Sequence, residues 1–307
     1  MSVWLTPLDT TGTVGKLAHG GSRMLTRADS ATARCPGSPA ARTAAATERQ
    51  RPMAEQAKIL VAEAEENNLG VKVLNKRFRR WDACSLCEQD YHGVVACALG
   101  WACWKTYVGR PETDWARRLA ISALRNGLAE AEQHEDALSV YEAELSIARR
   151  IGAPESNILV VQGNLATTYD ALGQHERGIA LRREVYDRKR VLMPEHPDTP
   201  LSALNLANSL IHEKRFAEVR TLINEMLPTA RHVCGDAHDT TLGLLFNLPR
   251  SILLNPDATQ EDLRVAKDEF EDLLRTTRRI YGQSHPRVGL VEANIKGVNF
   301  RLNNNAR

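Results

Sequence analysis

At 307 residues, 43% of them hydrophobic, the chain has enough apolar material for one large or two ordinary domains. Its 40 basic residues stand against 38 acidic ones, and a net charge of +2 excludes a strong general attraction to nucleic acid or to an anionic membrane. Six cysteines are too few for a disulfide scaffold, which points to a reduced, cytoplasmic compartment.

Residues 1–52 read as a disordered tail. Of the first 50 residues, 26 are Ala, Ser, Thr or Gly, and no apolar period of 2 or 3.6 runs through them. The same stretch holds six Lys/Arg against three Asp/Glu, the balance of an organellar transit peptide, so an organelle is the alternative address. Helical periodicity starts at Met53. Residues 53–80 form a short helical segment carrying Lys72, Lys76, Arg77, Arg79 and Arg80, a basic cluster expected to be a solvated helix face.

Residues 81–110 hold Cys84-Ser85-Leu86-Cys87 and then the apolar run VVACALGWACW at 94–104, which is too short to span a bilayer. Two thiolates two residues apart suit tetrahedral zinc, which makes Cys84 and Cys87 candidate ligands of a structural ion. A closed site needs four. His92, Cys97 and Cys103 are the available partners, but the last two lie in the apolar run, where packing is the expected role. Trp101 and Trp104, three apart in the same run, are expected in the core.

From residue 112 onward the chain repeats. NLATTYDALGQH at 164–175 is echoed by Asn205-Leu206-Ala207 and by Asn247-Leu248-Pro249, and this spacing near 41 predicts stacked helical hairpins. Four pairs follow, each a helix A and a helix B: 114–131 with 135–150, 156–172 with 176–192, 199–213 with 217–234, and 240–254 with 259–281. A last helix covers 286–302. His134, His175 and Phe216 share one place in the A–B turn. His196, His238 and His285 share another, in the linker before the next helix A, where they are expected to cap or pack rather than gather around a metal. Pro249 falls inside a helix A and should kink or shorten it, and five extra residues near Asn255-Pro256-Asp257 should lengthen a turn, so the fourth pair is expected to be irregular.

The repeat length, the Asn-Leu-Ala core and the linker His196-Pro197-Asp198-Thr199 resemble the tetratricopeptide (TPR) repeats of kinesin light chain. The likeness spans about 112–300 and is best in pairs two and three, since pair one has Arg125 where a small residue is usual. The resemblance implies an all-α, TPR-type helical-hairpin solenoid, a right-handed superhelix whose A helices line a concave groove for a protein or peptide partner. Carried over by position, Asn164, Asn205, Asn247 and Asn294 face that groove, with Asn126 and Asn208 on neighbouring positions and Arg250 adding a positive charge. An amide offers both donor and acceptor and so can read a partner's main chain, with Leu204 and Phe246 setting side-chain preference. The alternative is that these asparagines bond helix to helix.

No G-x-S-x-G, H-E-x-x-H or P-loop is present. The expectation is therefore a non-catalytic adaptor with no cofactor; structural zinc at Cys84 and Cys87 is the alternative. A zinc-dependent, ligase-type activity at 84–103 is the competing class. A self-associating scaffold or a motor-cargo adaptor is the third. No run of heptads precedes the repeats to join a motor heavy chain.

Overall fold

The chain is described by a computed structural model that covers residues 39–304, with side chains from residue 51. The tail and transit readings for residues 1–38 lie outside the described residues. Among the described residues twelve α-helices follow one another: α1 (Pro39–Glu66), α2 (Val71–Phe78), α3 (Gly93–Tyr107), α4 (Trp115–Glu130), α5 (His134–Arg150), α6 (Glu155–Ala171), α7 (His175–Leu192), α8 (Asp198–His212), α9 (Phe216–Cys234), α10 (Asp239–Leu254), α11 (Gln260–Tyr281) and α12 (Pro286–Asn304). Among the described residues the only β pairing is a bridge between Ala83 and Asp90. Residues 50–307 form one compact unit. Helix α1 begins upstream of Met53, because the alanines at 40, 41 and 44–46 are strong helix formers that composition alone groups with a low-complexity tail.

The repeat helices begin and end within two residues of the expected positions. Their boundaries follow from local chemistry. Asp114 caps α4 by accepting from the N–H of Ala116 (2.9 Å) and Arg117 (3.1 Å). Thr259 and Asp262 form a reciprocal capping box at the start of α11. In the three linkers, the Nδ1 atoms of His196, His238 and His285 accept from the N–H of Asp198, Thr240 and Arg287 at 3.1–3.2 Å. Each histidine stands in for a capping carboxylate. The A–B turns of the first three pairs share a left-handed residue at one position, Glu132 (φ 60°), Gly173 (φ 71°) and Lys214 (φ 58°). Only the second of these is the glycine that such a backbone favours.

The fourth pair departs less than expected. Helix α10 runs through Pro249 without a break and, at 16 residues, is as long as its counterparts. Packing holds it: Pro249 is buried in the middle of a helix whose Leu242, Leu244 and Ile252 are all buried. The surplus appears afterwards. The turn between α10 and α11 covers five residues, 255–259, against three in the other pairs, and α11 has 22 residues against 19 in α9.

Stacking is what stabilises the array, since one hairpin cannot cover its own apolar faces. Tyr141 and Leu145 of α5 pack with Ile158, Val161, Leu165 and Tyr169 of α6 across the boundary between pairs one and two. Each such side chain, when fully buried, contributes roughly 1.5–3 kcal/mol. Helices α8 and α10, and again α10 and α12, pack directly on one another; both are contacts between A helices of successive units.

The segment before the repeats joins the same stack. Helix α3 lies against α4 at very close range. A Cβ on Gly127 would sit 2.5 Å from the Ala96 carbonyl oxygen, and one on Gly100 would sit 2.8 Å from that of Ala123. Two glycines on facing helices thus let the backbones touch. Helix α1 supplies Ala57 and Val61 to the cluster that holds Phe78, Trp81, Cys103, Tyr107 and Ala120. The basic stretch is solvated in part: Lys72, Lys76 and Arg79 are exposed, whereas Arg77 and Arg80 are half-buried, and the arginines pair with acids, Arg77 with Glu63, Arg79 with Asp90 and Arg80 with Glu88. Trp101 corrects the sequence reading: it is exposed, while Trp104, about 60° round the helix, packs against both N-terminal core clusters, so Trp101 stands at the solvent edge of the face that Trp104 buries.

Candidate functional site

The seven residues singled out for a groove fall into three states. Asn164 and Asn205 are half-buried, and neither amide has a side-chain hydrogen bond among the described residues. Asn126, Asn208, Asn247 and Asn294 are engaged. Asn126 accepts from Arg125 Nη1 (2.9 Å), and Asn294 Nδ2 donates to the Leu290 carbonyl of its own helix (2.8 Å). Asn247 Nδ2 donates to Asn208 Oδ1 (2.6 Å), tying helix A of one unit to helix A of the next. The Asn247 side chain is 1% exposed, and its Oδ1 has no partner.

Arg250 lies one turn beyond Asn247. Its guanidinium is 5.8 Å from the Phe246 ring centroid, it makes no ion pair among the described residues, and burial lowers its hold on its proton. A half-buried cation without a counter-charge is costly, and a carboxylate brought to it removes part of that cost. Phe246 itself stacks edge-on against Phe270, with centroids 5.8 Å apart. Leu204 is 3% exposed, so the structure removes it from any surface that reads a partner; it belongs to the core because α8 packs on both flanks.

Unit one carries a buried charge pair that the repeat pattern does not anticipate. Arg125, 4% exposed, reaches Glu144 across the hairpin at 2.5 Å. Its Nη1 donates to Tyr141 Oη (3.0 Å), and Ser122 Oγ donates to Glu144 Oε1 (2.9 Å). Counting 41 residues on, the same two places hold Ala166 and Val185, and then Ala207 and Met226, all buried and apolar.

At the Cys-x-x-Cys loop, Cys84 Sγ accepts from the N–H of Leu86 (3.5 Å). Hydrogen bonds from the backbone of Cys87 and Leu86 and from the Cys87 thiol hold the Cys84 thiol below its ordinary range. The remaining candidate ligands are used elsewhere. His92 faces Glu130, Cys97 donates to Gln133, and Cys103 lies in the core, where burial pushes its thiol far up. Among the described residues, three metal-binding side chains gather in one place only, at His175, His212 and Glu213. That place lies between units two and three, and no motif in the sequence marks it.

Comparisons with known proteins agree with the architecture. No family model matches the chain. Over 114 residues it is 27% identical to tetratricopeptide repeat protein 19, mitochondrial, of Homo sapiens, covering 37% of this chain and 30% of that protein. Over 101 residues it is 30% identical to the Mus musculus protein of the same name, covering 33% and 27%. The match thus spans less than a third of either relative's length. Among solved structures, BtubC (BKLC) from P. vanneervenii superimposes with a TM-score of 0.54 at 17% identity, over 82% of each chain. Nearly identical kinesin light chain TPR-like repeats from Podosopora anserina give a TM-score of 0.49 at 18% identity, over 76% of this chain and 98% of that one. The fold is an all-α, TPR-type helical-hairpin solenoid.

Proposed function

We propose that this chain is a non-catalytic interaction module whose A-helix face holds an extended segment of a partner protein. The observation that carries the reading is the set of unspent polar groups on successive A helices: the amides of Asn164 and Asn205 and the unpaired guanidinium of Arg250. The direct packing of α8 on α10 and of α10 on α12 supports placing the A helices on the inner curve, where one strand of peptide reaches several units. The amides bond the partner's main chain, and Arg250 pairs with a carboxylate on it. The Asn208–Asn247 bond belongs to the frame rather than to the contact surface.

The test compares the full chain with Asn164→Ala/Asn205→Ala and with Arg250→Gln in capture from native lysate, read by mass spectrometry, with circular dichroism to establish folding. A partner retained by the parent and depleted at least tenfold by both variants supports the groove. Equal capture by all three proteins refutes it. Kinesin heavy chain among the depleted partners would add a motor role, and its absence from every sample removes that role. The mitochondrial designation of both curated relatives supports the organellar reading of the N-terminal segment. Fusing residues 1–60 to a fluorescent protein tests it, and diffuse cytoplasmic signal rejects it.

A further inference from the structure

We infer that His175, His212 and Glu213 form a divalent metal site, with zinc as the ion it suits, bridging repeat units two and three. His175 is the first residue of α7; His212 is the last of α8, and Glu213 caps it. The two imidazoles come from different units, and their ring centroids lie 4.7 Å apart at an interplanar angle of 47°. His212 Nδ1 and Glu213 Oε1 are 2.8 Å apart, and one ligand atom from each residue lies within 4.8 Å of the others.

That spacing is close to what coordination requires. Zinc bonds nitrogen and oxygen at about 2.0–2.2 Å, so ligand atoms around a tetrahedral ion stand roughly 3.3–3.5 Å apart. The His212–Glu213 pair, at 2.8 Å, need open by only about half an ångström. The His175 ring must approach by a little over an ångström, and the exposed or half-exposed side chains at this edge leave it room to turn. Two imidazoles and a carboxylate are the donor set of late first-row divalent ions, and three protein ligands leave a fourth position for water. Asp170 Oδ1 lies 3.8 Å from His175 Nδ1 and so offers the carboxylate support that metal-bound imidazoles usually have. Neighbouring cations are occupied: Arg182 by Asp170, Arg215 by Glu218 and Glu176, and Arg177 by Gln174 and Tyr169. Lys214 occupies the left-handed position of the turn, between Glu213 and Arg215, and makes no ion pair among the described residues. The ligands are offset by 37 residues, four short of one repeat period, so the ion would join the start of one helix B to the end of the next helix A.

The test uses the full chain in a Cys84→Ser/Cys87→Ser background, which removes thiolate binding, and titrates zinc chloride by calorimetry at pH 7.5. The expected result is one zinc per chain at micromolar affinity, a rise in Tm with zinc, and at least a tenfold loss of affinity in both His175→Gln and His212→Gln. Both glutamines keep size and polarity, and far-ultraviolet circular dichroism establishes that each variant is folded. Absence of zinc binding in the background protein overturns the site. Affinity unchanged from the background protein in either histidine variant overturns it as well.

Discussion

Replacing Glu144 with valine, the residue found at the equivalent place in unit two, should destabilise the protein severely. The substitution looks harmless from the repeat pattern, because Val185 and Met226 fill the same position in the next two units. Here, however, it leaves the Arg125 guanidinium 4% exposed and without its carboxylate at 2.5 Å. Only the neutral oxygens of Asn126 and Tyr141 remain bonded to it. Removing one member of a buried pair costs about 3–5 kcal/mol, whereas replacing both with apolar groups is close to neutral. The double variant Arg125→Ala/Glu144→Val, which copies Ala166 and Val185, should therefore return to within about 1 kcal/mol of the parent. Urea unfolding of the parent, both single variants and the double variant closes a double-mutant cycle, and for a unit this size the Glu144→Val loss corresponds to roughly 6–20 °C in Tm. If the double variant is as unstable as the sum of the two singles, the charge pair is not what places a large residue at 125.

Two further outcomes follow from other contacts. Gly127→Ala adds a Cβ 2.5 Å from the Ala96 carbonyl oxygen, so despite alanine's better helix propensity it should cost about 1–3 kcal/mol in urea unfolding, and a stabilised variant would contradict the close approach of α3 and α4. Asp239 accepts from Tyr281 and Arg287; burial pushes its carboxyl up, but these hydrogen bonds outweigh burial and hold it below the ordinary aspartate range. Its contribution is complete above the unfolded value near pH 4 and is lost as pH falls through the lower folded value. The stability gap between parent and Asp239→Asn, measured by thermal melting, should therefore shrink as pH drops from 5 to 3. A gap that stays constant would show that Asp239 acts only as an uncharged spacer.

The periodic part of the architecture was legible because it repeats: the Asn-Leu-Ala register and the His-Pro linkers place every helix from α4 to α12. What escaped were contacts whose spacing is not the repeat period. His175 and His212 sit in different structural positions of different units, so aligning the units drives them apart instead of together. Arg125 stood out as an oversized residue, but nothing in the repeat register marks Glu144 as its partner. The fit of α3 onto α4 rests on Gly100 and Gly127, residues that sequence reading scores as weak helix formers. Pro249 was read through its local cost, which the buried surroundings of α10 offset. The half-buried amides of Asn164 and Asn205 were identifiable from register alone, whereas the Asn208–Asn247 bond needed the stacked coordinates.

The shared left-handed residue of the first three A–B turns has a consequence for how such a chain can grow. Glu132, Gly173 and Lys214 give these hairpins one geometry, so each unit presents its successor with the same docking face. A tandem duplication of residues 155–195 would meet matching neighbours on both sides and lengthen the array without a seam. The five-residue turn and 22-residue helix of unit four break that equivalence. A copy of that unit set beside unit four would meet a hairpin of different turn length and helix length, so the array extends most readily among its first three units.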